Sequence, residues 1–575
     1  MFLVEFNFLI GGEAGQGVQS MGYTLAMTMA KGGYYIFANQ DYESRIRGGH
    51  NFFKVRVSDR NVQATSEEVN IIIALNEETI DLHKHEITEG GLIIYDGERV
   101  QKESKLPFVA IPFERLAFEK TGNRIMGNTV ALGAVLGLIG YDLNLFTAVL
   151  RKIFGKKSEE VSEKNVKAAK IGYDYVHEKH KQIFKQRLKP IDRAKRMVIN
   201  GVEAVALGAL AAGCKFMSGY PMTPSTGILQ YFAARMGELN VVFEQAEDEI
   251  AAINMVLGAS YVGVRAMTAT SGGGFSLMVE TLSLAGMTET PAVIVLGQRV
   301  GPATGFPTRT EQGELEFAIY AGHGTFPRVV FAPGTVEEAF NLTLKAFNLA
   351  DEYQIPVIIL TDTYLSDSYT TADKFDLSKI KIKRGTFLSE TELNPLTKYT
   401  YMRHKLTDSG ISPRVIVGQP GTVVVTDSDE HSEDGHITES AEIRNKMVQK
   451  RLKKFEHLRS EIETPKTYGP KDAKIVLACW GSTYGALTEA VDILNDRGKF
   501  VRMIHFNEVW PFPAESFLKL IKGAKQFIVV ENNVTGQMAH LIRAETGLEA
   551  HRTILKYDGR PMSPTYIVNK FEGVI

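Results

Sequence analysis

The stretch VVFEQAEDEIAAINMVLGASYVGVRAMTAT, residues 241–270, contains the pattern that decides the fold class. An apolar run at 241–245 ends in polar residues, a helix-like run opens at the acidic cluster that follows, and a second strand-like run comes at 263–270. Further strand-like runs, AVIVLGQ at 292–298 and PVIILTD at 356–362, continue the alternation. Strands that alternate with helices predict an α/β fold with a parallel sheet and crossover helices.

Composition excludes several classes of protein. The 65 basic and 67 acidic residues of this 575-residue chain leave a net charge of −2, which gives no reason to expect a nucleic-acid partner. The only cysteines, Cys214 and Cys479, stand far apart and offer neither a disulfide framework nor metal-ligand spacing. An iron–sulfur cluster needs about four cysteines, so this chain cannot hold one by itself. The apolar start MFLVEFNFLI lacks a basic segment and a cleavage site, and we expect a cytoplasmic protein without a membrane span.

Four parts can be predicted along the chain. Residues 1–190 begin with a strand, a glycine loop and a helix, which is a Rossmann-like arrangement. Residues 191–375 carry the parallel-sheet pattern, and 376–467 have little apolar periodicity but include one long basic helix, which predicts a linker. Residues 468–575 return to α/β order with the strand-like runs IVLACWGS, VRMIHFN and FIVVENN.

The first part contains two candidate anion-binding features. Gly12, Gly15 and Gly17 lie in GGEAGQG, just before a helix, where backbone N–H groups can face a phosphate, although the spacing is not G-x-G-x-x-G. Arg45 and Arg47 stand beside two glycines in DYESRIRGG and suit phosphate or carboxylate contacts. A tight turn without a ligand and a surface hairpin with solvated arginines explain the two features as well.

The segment SGYPMTPST, residues 218–226, is a stiffened loop rich in hydroxyl groups. Pro221 and Pro224 lack an N–H group and push the preceding residues, Tyr220 and Thr223, out of the α region. We therefore expect Thr223 to be held extended at an edge of the sheet.

Acidic residues crowd the start of the helix after the strand at 241–245. The helix dipole favours carboxylates at this position and accounts for most of Glu244, Glu247, Asp248 and Glu249. A carboxylate between a strand and a helix also points towards the ligand edge of an α/β sheet, so one of the four is a functional candidate.

Two more loops follow strands of the same part. TSGGG at 270–274 lets a ligand approach the backbone, and GQRVGPATGFPTRTEQGEL supplies Arg299 and Arg309 among glycines, prolines and threonines. Long structured loops of this kind more often carry function than not.

Several motifs are absent. The sequence has no Gly-Asp-Gly turn, which thiamine diphosphate enzymes use with magnesium, and no Walker loop, G-x-S-x-G elbow or HExxH.

Taken in order, SGYPMTPST, FEQAEDEIAAINMVLGASYVGVRAMTATSGGG, GQRVGPATGFPTRTEQGEL and ENNVTGQ resemble the α subunit of 2-oxoacid:ferredoxin oxidoreductases. GGEAGQGVQS with DYESRIRGG resembles the γ domain of that family, fused ahead of α. The resemblance implies a γ domain at 1–190, a pyrimidine-type thiamine-diphosphate-binding domain at 191–375 and a transketolase C-terminal-like domain at 468–575. A partner β subunit, expected in an α2β2 assembly, would hold the diphosphate, its Mg²⁺ and a [4Fe-4S] cluster, and ferredoxin would accept the electrons. No metal ligand is expected in this chain.

The resemblance also implies roles for individual residues. Glu247 would hydrogen-bond the aminopyrimidine ring, Thr223 would contact the 2-oxoacid, and Arg309, with Arg299 as second candidate, would bind a substrate carboxylate. Weaker candidates are Tyr220 and His431, the latter in the DEHSEDGH loop, which could close over substrate or be a solvated linker. The γ-domain residues that would meet coenzyme A or the partner are Gly12, Gly15, Gln16, Gly17, Arg45 and Arg47. Ser225 and Thr226 are read as N-caps of the helix GILQYFAARM.

The predicted reaction is the conversion of 2-oxoglutarate, coenzyme A and oxidised ferredoxin to succinyl-coenzyme A, carbon dioxide and reduced ferredoxin. The fusion of γ to α is typical of 2-oxoglutarate and broad 2-oxoacid enzymes. Pyruvate, branched-chain or aryl 2-oxoacids are alternative substrates, and a non-catalytic subunit that binds coenzyme A and docks a partner is an alternative function. A nicotinamide dehydrogenase is disfavoured by the irregular glycine spacing.

Overall fold

The fold is described from a computed structural model of the chain, which covers residues 4–45, 48–101, 107–155, 158–180, 183–396 and 400–574. In these residues the strands are β1 (Glu5–Glu13), β2 (Tyr35–Asp41), β3 (His50–Ser58), β4 (Val69–Ala74), β5 (Ile87–Tyr95), β6 (Phe108–Ala110), β7 (Met197–Ile199), β8 (Phe216–Gly219), β9 (Val242–Gln245), β10 (Ala266–Thr270), β11 (Ala292–Gln298), β12 (Val329–Phe331), β13 (Pro356–Asp362), β14 (Tyr369–Ala372), β15 (Lys466–Tyr468), β16 (Ile475–Trp480), β17 (Val501–Phe506), β18 (Glu508–Trp510), β19 (Gln526–Glu531) and β20 (Arg552–Leu555).

The α-helices are α1 (Val18–Lys31), α2 (Glu77–His83), α3 (Phe113–Thr121), α4 (Gly127–Leu138), α5 (Leu143–Phe154), α6 (Glu159–Lys179), α7 (Gly201–Ala211), α8 (Thr226–Ala233), α9 (Met236–Leu239), α10 (Glu249–Tyr261), α11 (Gly272–Met287), α12 (Leu315–Tyr320), α13 (Val336–Tyr353), α14 (Thr363–Asp367), α15 (Glu390–Leu393), α16 (Ala441–Glu461), α17 (Thr483–Asp496), α18 (Ala514–Ile521), α19 (Gln537–Thr546) and α20 (Pro564–Val574). Short 3-10 helices lie at Lys84–Glu86, Arg124–Met126 and Leu377–Lys379.

The chain forms two compact units. The first comprises Met1–Ile199, Asp367–Lys374 and Ser563–Thr565, and the second comprises Asn200–Ser366, Phe375–Met562 and Tyr566–Ile575. The division into four domains at 190, 375 and 467 remains a prediction.

The first unit is built on a mixed sheet with the strand order β6-β5-β4-β1-β3-β2-β14-β7. The strands from β6 to β1 run parallel, whereas β1, β3, β2, β14 and β7 are paired antiparallel. Helices α4 and α6 cross at two glycines, since a Cβ at Gly133 would lie 2.1 Å from the Ala169 carbonyl oxygen and one at Gly172 would lie 1.9 Å from that of Val130. The strand, glycine-loop and helix prediction for the start of the chain is confirmed by β1 and α1.

The second unit contains the predicted parallel sheet, with the order β18-β12-β13-β11-β10-β8-β9. Its strands are parallel except β18, which pairs antiparallel with β12 at one edge. A five-stranded sheet, β15-β17-β16-β19-β20, lies in the same unit. One apolar core joins the two sheets, because Ile294 and Leu360 of the first and Trp480 and Val529 of the second belong to the same buried cluster.

The region 376–467 contains the predicted long helix, α16. It is less open than a solvated linker, since Leu393, Tyr401 and Val415 form a small apolar core of their own. No helix in the described part of the chain combines the length and apolar character needed to cross a membrane.

Candidate functional site

Four neighbouring strands end at one edge of the seven-stranded sheet. The strands β11, β10, β8 and β9 are adjacent in this order, and they run parallel. Ligands of α/β sheets bind outside the carboxyl ends of the strands. The segments that follow these ends contain Tyr220 and Thr223, Glu247 and Glu249, Ser271 and Gly272, and Arg299.

Thr223 and Arg299 are brought together at this edge. Thr223 is half-buried in the turn after β8, and its carbonyl oxygen accepts a hydrogen bond from Arg299 Nη1 at 3.1 Å. Burial lowers the pKa of the Arg299 guanidinium, against the opposite influence of Glu314. Two residues predicted from separate motifs therefore lie together, and the backbone of the loop that carries the threonine holds the arginine.

The hydroxyl groups near Thr223 do not cap α8 as predicted. Ser225 precedes the helix but has helical backbone angles and makes no capping bond, and Thr226 is already the first helical residue. The Ser225 hydroxyl instead donates to the carbonyl oxygen of Thr270, the last residue of β10. The N-cap prediction is wrong because Ser225 is used to tie its loop to the neighbouring strand.

The acidic cluster after β9 divides into three environments. Glu247, the predicted functional carboxylate, is exposed, and Asp248 caps α10 by accepting from the Ala251 N–H at 2.8 Å. Glu249 is 3% exposed, and its Oε1 atom is buried without a hydrogen-bond partner among the described residues. A buried carboxylate oxygen without a partner is costly, which makes Glu249 the stronger candidate for contact with a ligand.

The glycines of TSGGG make room for this carboxylate. A Cβ at Gly274 would lie 2.6 Å from Glu249 Oε1 and 2.1 Å from Thr270 Oγ1. A Cβ at Gly272 would lie 1.7 Å from Glu314 Oε1. The first turn of α11 thus packs between two carboxylate side chains, and only glycine permits this approach.

Arg309 lies in the same loop as Arg299 but its surroundings differ. It is half-buried, its N–H donates to the Phe306 carbonyl at 3.0 Å, and its own carbonyl accepts from Thr363 Oγ1 at 3.1 Å. These bonds fix the backbone at the end of β13. Tyr220 is 40% exposed at the start of the Thr223 loop.

The glycine loop of the first unit is a tight turn that borders cavities. Gly15 and Gly17 have φ of 91° and 82°, values that favour glycine. Gln16 Oε1 accepts from the Glu13 N–H at 2.8 Å, and Asn128 Nδ2 donates to the Gln16 carbonyl at 2.7 Å. A Cβ at Gly12 would lie 2.5 Å from Gln16 Oε1, so Gly12 shapes the turn.

Two cavities meet at this turn. One, of about 230 Å³, has the cations Arg99 and Arg124 and the anions Asp96 and Glu114 in its lining, and Arg99 pairs with Glu114 at 2.6 Å. The other, of about 340 Å³, is lined by apolar side chains that include Met21, Leu132 and Phe154. They share Gly15, Gln16, Ile125 and Asn128. A third cavity of about 490 Å³ has Glu13 and Asp41 in its lining and is less suited to an anion.

The sequence matches three family descriptions. Residues 7–175 match the pyruvate ferredoxin/flavodoxin oxidoreductase domain, residues 207–450 the thiamine-diphosphate-binding domain of pyruvate flavodoxin/ferredoxin oxidoreductases, and residues 473–567 core domain II of pyruvate:ferredoxin oxidoreductases. A 2-oxoacid:ferredoxin oxidoreductase α subunit from Sulfolobus sp is 33% identical over 97% of this chain and 95% of its own length. The chain belongs to the 2-oxoacid:ferredoxin oxidoreductase family, as an α subunit.

Two further relatives of this α subunit are named for 2-oxoglutarate. The 2-oxoglutarate synthase subunit KorA of Methanothermobacter marburgensis is 34% identical and covers 65% of this chain and 98% of its own length. The solved 2-oxoglutarate:ferredoxin oxidoreductase of Magnetococcus marinus, with 2-oxoglutarate, coenzyme A and succinyl-CoA bound, superposes with a TM-score of 0.91 at 32% identity and covers 99% of both chains. The multi-domain α/β fold expected of the family is therefore confirmed.

His431 lies in a different environment from the predicted one. It is fully buried, its ring centroid is 4.0 Å from that of His404, and burial lowers its pKa. The side chain is therefore not solvated, and its role at the substrate stays a prediction. His436 of the same segment is exposed beside Asp434.

Arg45, one of the two arginines predicted to contact an anion, has the surroundings of a surface residue. Arg45 lies between β2 and β3, is 66% exposed and pairs with Glu43 at 2.9 Å, as in the surface-hairpin interpretation. Arg47 lies outside the described residues.

Sequence reasoning counted Glu249 among four acidic candidates but preferred Glu247, and it did not consider Glu314. Glu249 shares the buried face of α10 with Ala252, Ile253 and Val256, and this helical spacing could have separated it from Glu247. Glu314 follows no pattern of this kind, because it reaches α11 from the far end of a long loop.

Proposed function

We propose that this α subunit contributes to a thiamine-diphosphate-dependent oxidation of 2-oxoglutarate. The products would be succinyl-coenzyme A and carbon dioxide, with the electron pair passed to ferredoxin. The observation that carries the proposal is the convergence of Glu249, Thr223 and Arg299 at one sheet edge, with a buried carboxylate oxygen that lacks a partner.

The residues at this edge fit the aminopyrimidine end of thiamine diphosphate. Glu249 Oε1 is buried and unpartnered, and the backbone beside it, at Gly272 and Gly274, carries no side chain. Thiamine diphosphate, when bound, supplies the carbon nucleophile for the 2-oxoacid ketone. Glu249, rather than Glu247, would hold a proton at Oε1 and donate it in a hydrogen bond to a ring nitrogen.

The substrate would lie on the side of Thr223 and Arg299. A guanidinium can bind a carboxylate through two hydrogen bonds, and the contact to the Thr223 carbonyl orients Arg299. Arg309 is the candidate for a second carboxylate, with Tyr220 at the rim. His431 has no part in this proposal.

A partner subunit would complete the site. The Gly-Asp-Gly turn is missing from the sequence, and two separate cysteines cannot hold a cluster. We therefore place the diphosphate, its Mg²⁺ and a [4Fe-4S] cluster on a β subunit, in an α2β2 complex that works with ferredoxin in the cytoplasm.

The first unit would bind coenzyme A at the glycine loop. Arg124 in the polar cavity suits a phosphate group, with Arg99, which pairs with Glu114, as a second cation, and the adjoining apolar cavity suits the pantetheine arm. Gly15 and Gln16 line both cavities. Arg45 and Arg47 remain weaker candidates.

The test is to purify the chain with its partner and follow viologen reduction with coenzyme A and a panel of 2-oxoacids. We expect the highest kcat/KM with 2-oxoglutarate. If kcat/KM is higher with pyruvate or a branched-chain 2-oxoacid, that compound replaces 2-oxoglutarate as the proposed substrate. If none of the 2-oxoacids supports viologen reduction, although thiamine diphosphate is bound and the cluster is intact, the chain is a non-catalytic docking subunit instead.

A further inference from the structure

The loop that carries Arg299 is closed at its base by one buried side chain. It begins after β11 at Arg299 and ends before α12 at Glu314. Gln298 Oε1 accepts from the Glu314 N–H at 3.0 Å, and Gln298 Nε2 donates to the Thr361 carbonyl at 3.1 Å. Both ends of the loop are therefore fixed at the carboxyl edge of the sheet.

The Glu314 carboxyl group faces the first turn of α11. Its Oε1 lies against Gly272, and its Oε2 is buried without a hydrogen-bond partner in the described residues. The Glu249 carboxylate lies against Gly274 of the same turn. Glu314 is thus the second carboxyl group of the site, on the side of Arg299.

The surroundings of Glu314 act on its pKa in opposite directions. Burial raises the pKa of Glu314 to about 8, Arg299 at the other end of the loop lowers it, and Glu311 on the loop itself raises it. With the protonated form favoured at neutral pH, Arg299 keeps its charge for another anion.

We propose that Glu314 is a positioning residue for substrate specificity. In its protonated form it leaves the Arg299 guanidinium free to bind the substrate carboxylate. In its ionised form it competes with that carboxylate for Arg299. This proposal rests on the proposed function, since it takes the anion to be the 2-oxoacid. The ionised form adds a negative charge beside the site, so a substrate with two carboxylates is affected more than one with a single carboxylate.

The direct test measures binding without turnover. Glutarate, a dicarboxylate of the same length without the ketone, is titrated calorimetrically into the complex of the chain and its partner at pH 6.5 and pH 9. If only the protonated form binds and its pKa is about 8, the dissociation constant rises by about tenfold at pH 9. In Glu314→Gln, which cannot ionise, we expect a change of less than about twofold over the same range.

Two further variants make the result specific. Glu316→Gln changes a carboxylate that is 41% exposed beside His540, and this control should keep the tenfold rise. Glu311→Gln removes the group that raises the pKa of Glu314, so the rise should begin at lower pH. Urea midpoints at pH 7 confirm that each variant is folded.

A turnover assay gives a second readout. The KM for 2-oxoglutarate should follow the glutarate constant, with a smaller pH effect on the KM for pyruvate and little change in kcat for Glu314→Gln. A Glu314→Gln complex that keeps the tenfold rise would overturn the proposal, and so would the absence of glutarate binding at pH 6.5. Glutarate binding as expected, without turnover of any 2-oxoacid, would contradict the proposed function and leave the role of Glu314 standing.

Discussion

Glu247 and Glu249 are two residues apart, yet the fold gives them opposite environments. Helix α10 begins at Glu249 and places it on the face that contains Ala252 and Ile253, whereas Glu247 lies before the helix and is exposed. A carboxyl group that is shielded from water and has an oxygen without a partner among the described residues is the type that proton chemistry requires.

Isosteric substitution can distinguish the roles of the two glutamates. In the complex with its partner we expect Glu249→Gln to lower kcat by about 10²- to 10⁴-fold, the usual range for a lost proton donor or acceptor. Glu247→Gln, the matched control, should change kcat by less than about threefold, because most exposed side chains contribute little. Viologen reduction with saturating 2-oxoglutarate and coenzyme A measures both kcat values. A larger loss of kcat in Glu247→Gln than in Glu249→Gln would indicate Glu247 as the functional residue.

At the scale of elements, the start of α11 combines three glycines with different constraints. Cβ atoms at Gly272 and Gly274 would collide with carboxylates, whereas one at Gly273 would meet no atom within 4 Å. This helix gives up the better propensity of alanine at two positions so that Glu249 and Glu314 can approach it.

Alanine substitutions in this turn should have effects of opposite sign. Gly273→Ala should stabilise the chain by up to about 1 kcal/mol, the difference in helix propensity. Gly274→Ala should destabilise it by about 1–3 kcal/mol, the usual cost of overpacking, because Thr270 and Glu249 must move. Urea unfolding of the full chain measures both. Equal effects of the two substitutions would show that the turn is not constrained as described.

Helix α16, in the region 376–467, is fixed by buried ion pairs. Its Lys450 and Lys454 are buried and pair with the buried carboxylate of Glu289, which also lies 3.1 Å from His404 Nδ1. Burial opposes ionisation of Glu289, but the two lysines hold its pKa well below the usual range. Burial lowers the pKa of His404 to about 3, so this ring is neutral at pH 7.

Removal of the Glu289 carboxylate should loosen α16. Glu289→Gln removes the carboxylate that pairs with two buried lysines, and we expect a loss of about 3–5 kcal/mol in the free energy of unfolding. The control Glu442→Gln removes an exposed pair with Lys446 on the same helix and should leave the urea midpoint unchanged. Equal midpoints for the two variants would mean that the buried pairs do not stabilise the helix.

At the scale of the whole molecule, the chain is an α subunit with two candidate functional surfaces, each within one compact unit. The second unit supplies the sheet edge with Glu249, Thr223 and Arg299, and the first supplies the glycine loop with its cavities. Each surface has its own ligand in our proposal, so each can be tested in the intact chain without the other.

Coenzyme A binding should depend on the polar cavity of the first unit. A charge-assisted hydrogen bond to phosphate is worth about 1.5–3 kcal/mol, so Arg124→Gln should weaken binding by about ten- to a hundredfold. Arg115→Gln is the control, since Arg115 is 56% exposed, pairs with Glu98 and lines neither cavity. Calorimetry on the full chain gives the dissociation constants for coenzyme A. Equal affinities for the two variants would mean that coenzyme A binds at another site.

Much of this molecule follows from the sequence. The alternation of strands and helices at 241–362 determined the parallel sheet, and the prolines and arginines of two separate motifs indicated Thr223 and Arg299, because such patterns express local geometry and the loop edge of any parallel sheet. The resemblance to 2-oxoacid:ferredoxin oxidoreductases implied a partner chain, and the missing Gly-Asp-Gly turn and the paucity of cysteines agree with it. These inferences needed no knowledge of which side chains meet.

The tertiary structure alone decided what depends on contacts between distant segments. It buried Glu249 instead of Glu247, brought Glu314 to Gly272 across 42 residues of sequence, used Ser225 to hold β10 and enclosed His431 beside His404. Burial and the loss of water at a carboxylate are properties of packing. Local sequence specifies which face of an element is apolar, but not which polar group another element will cover.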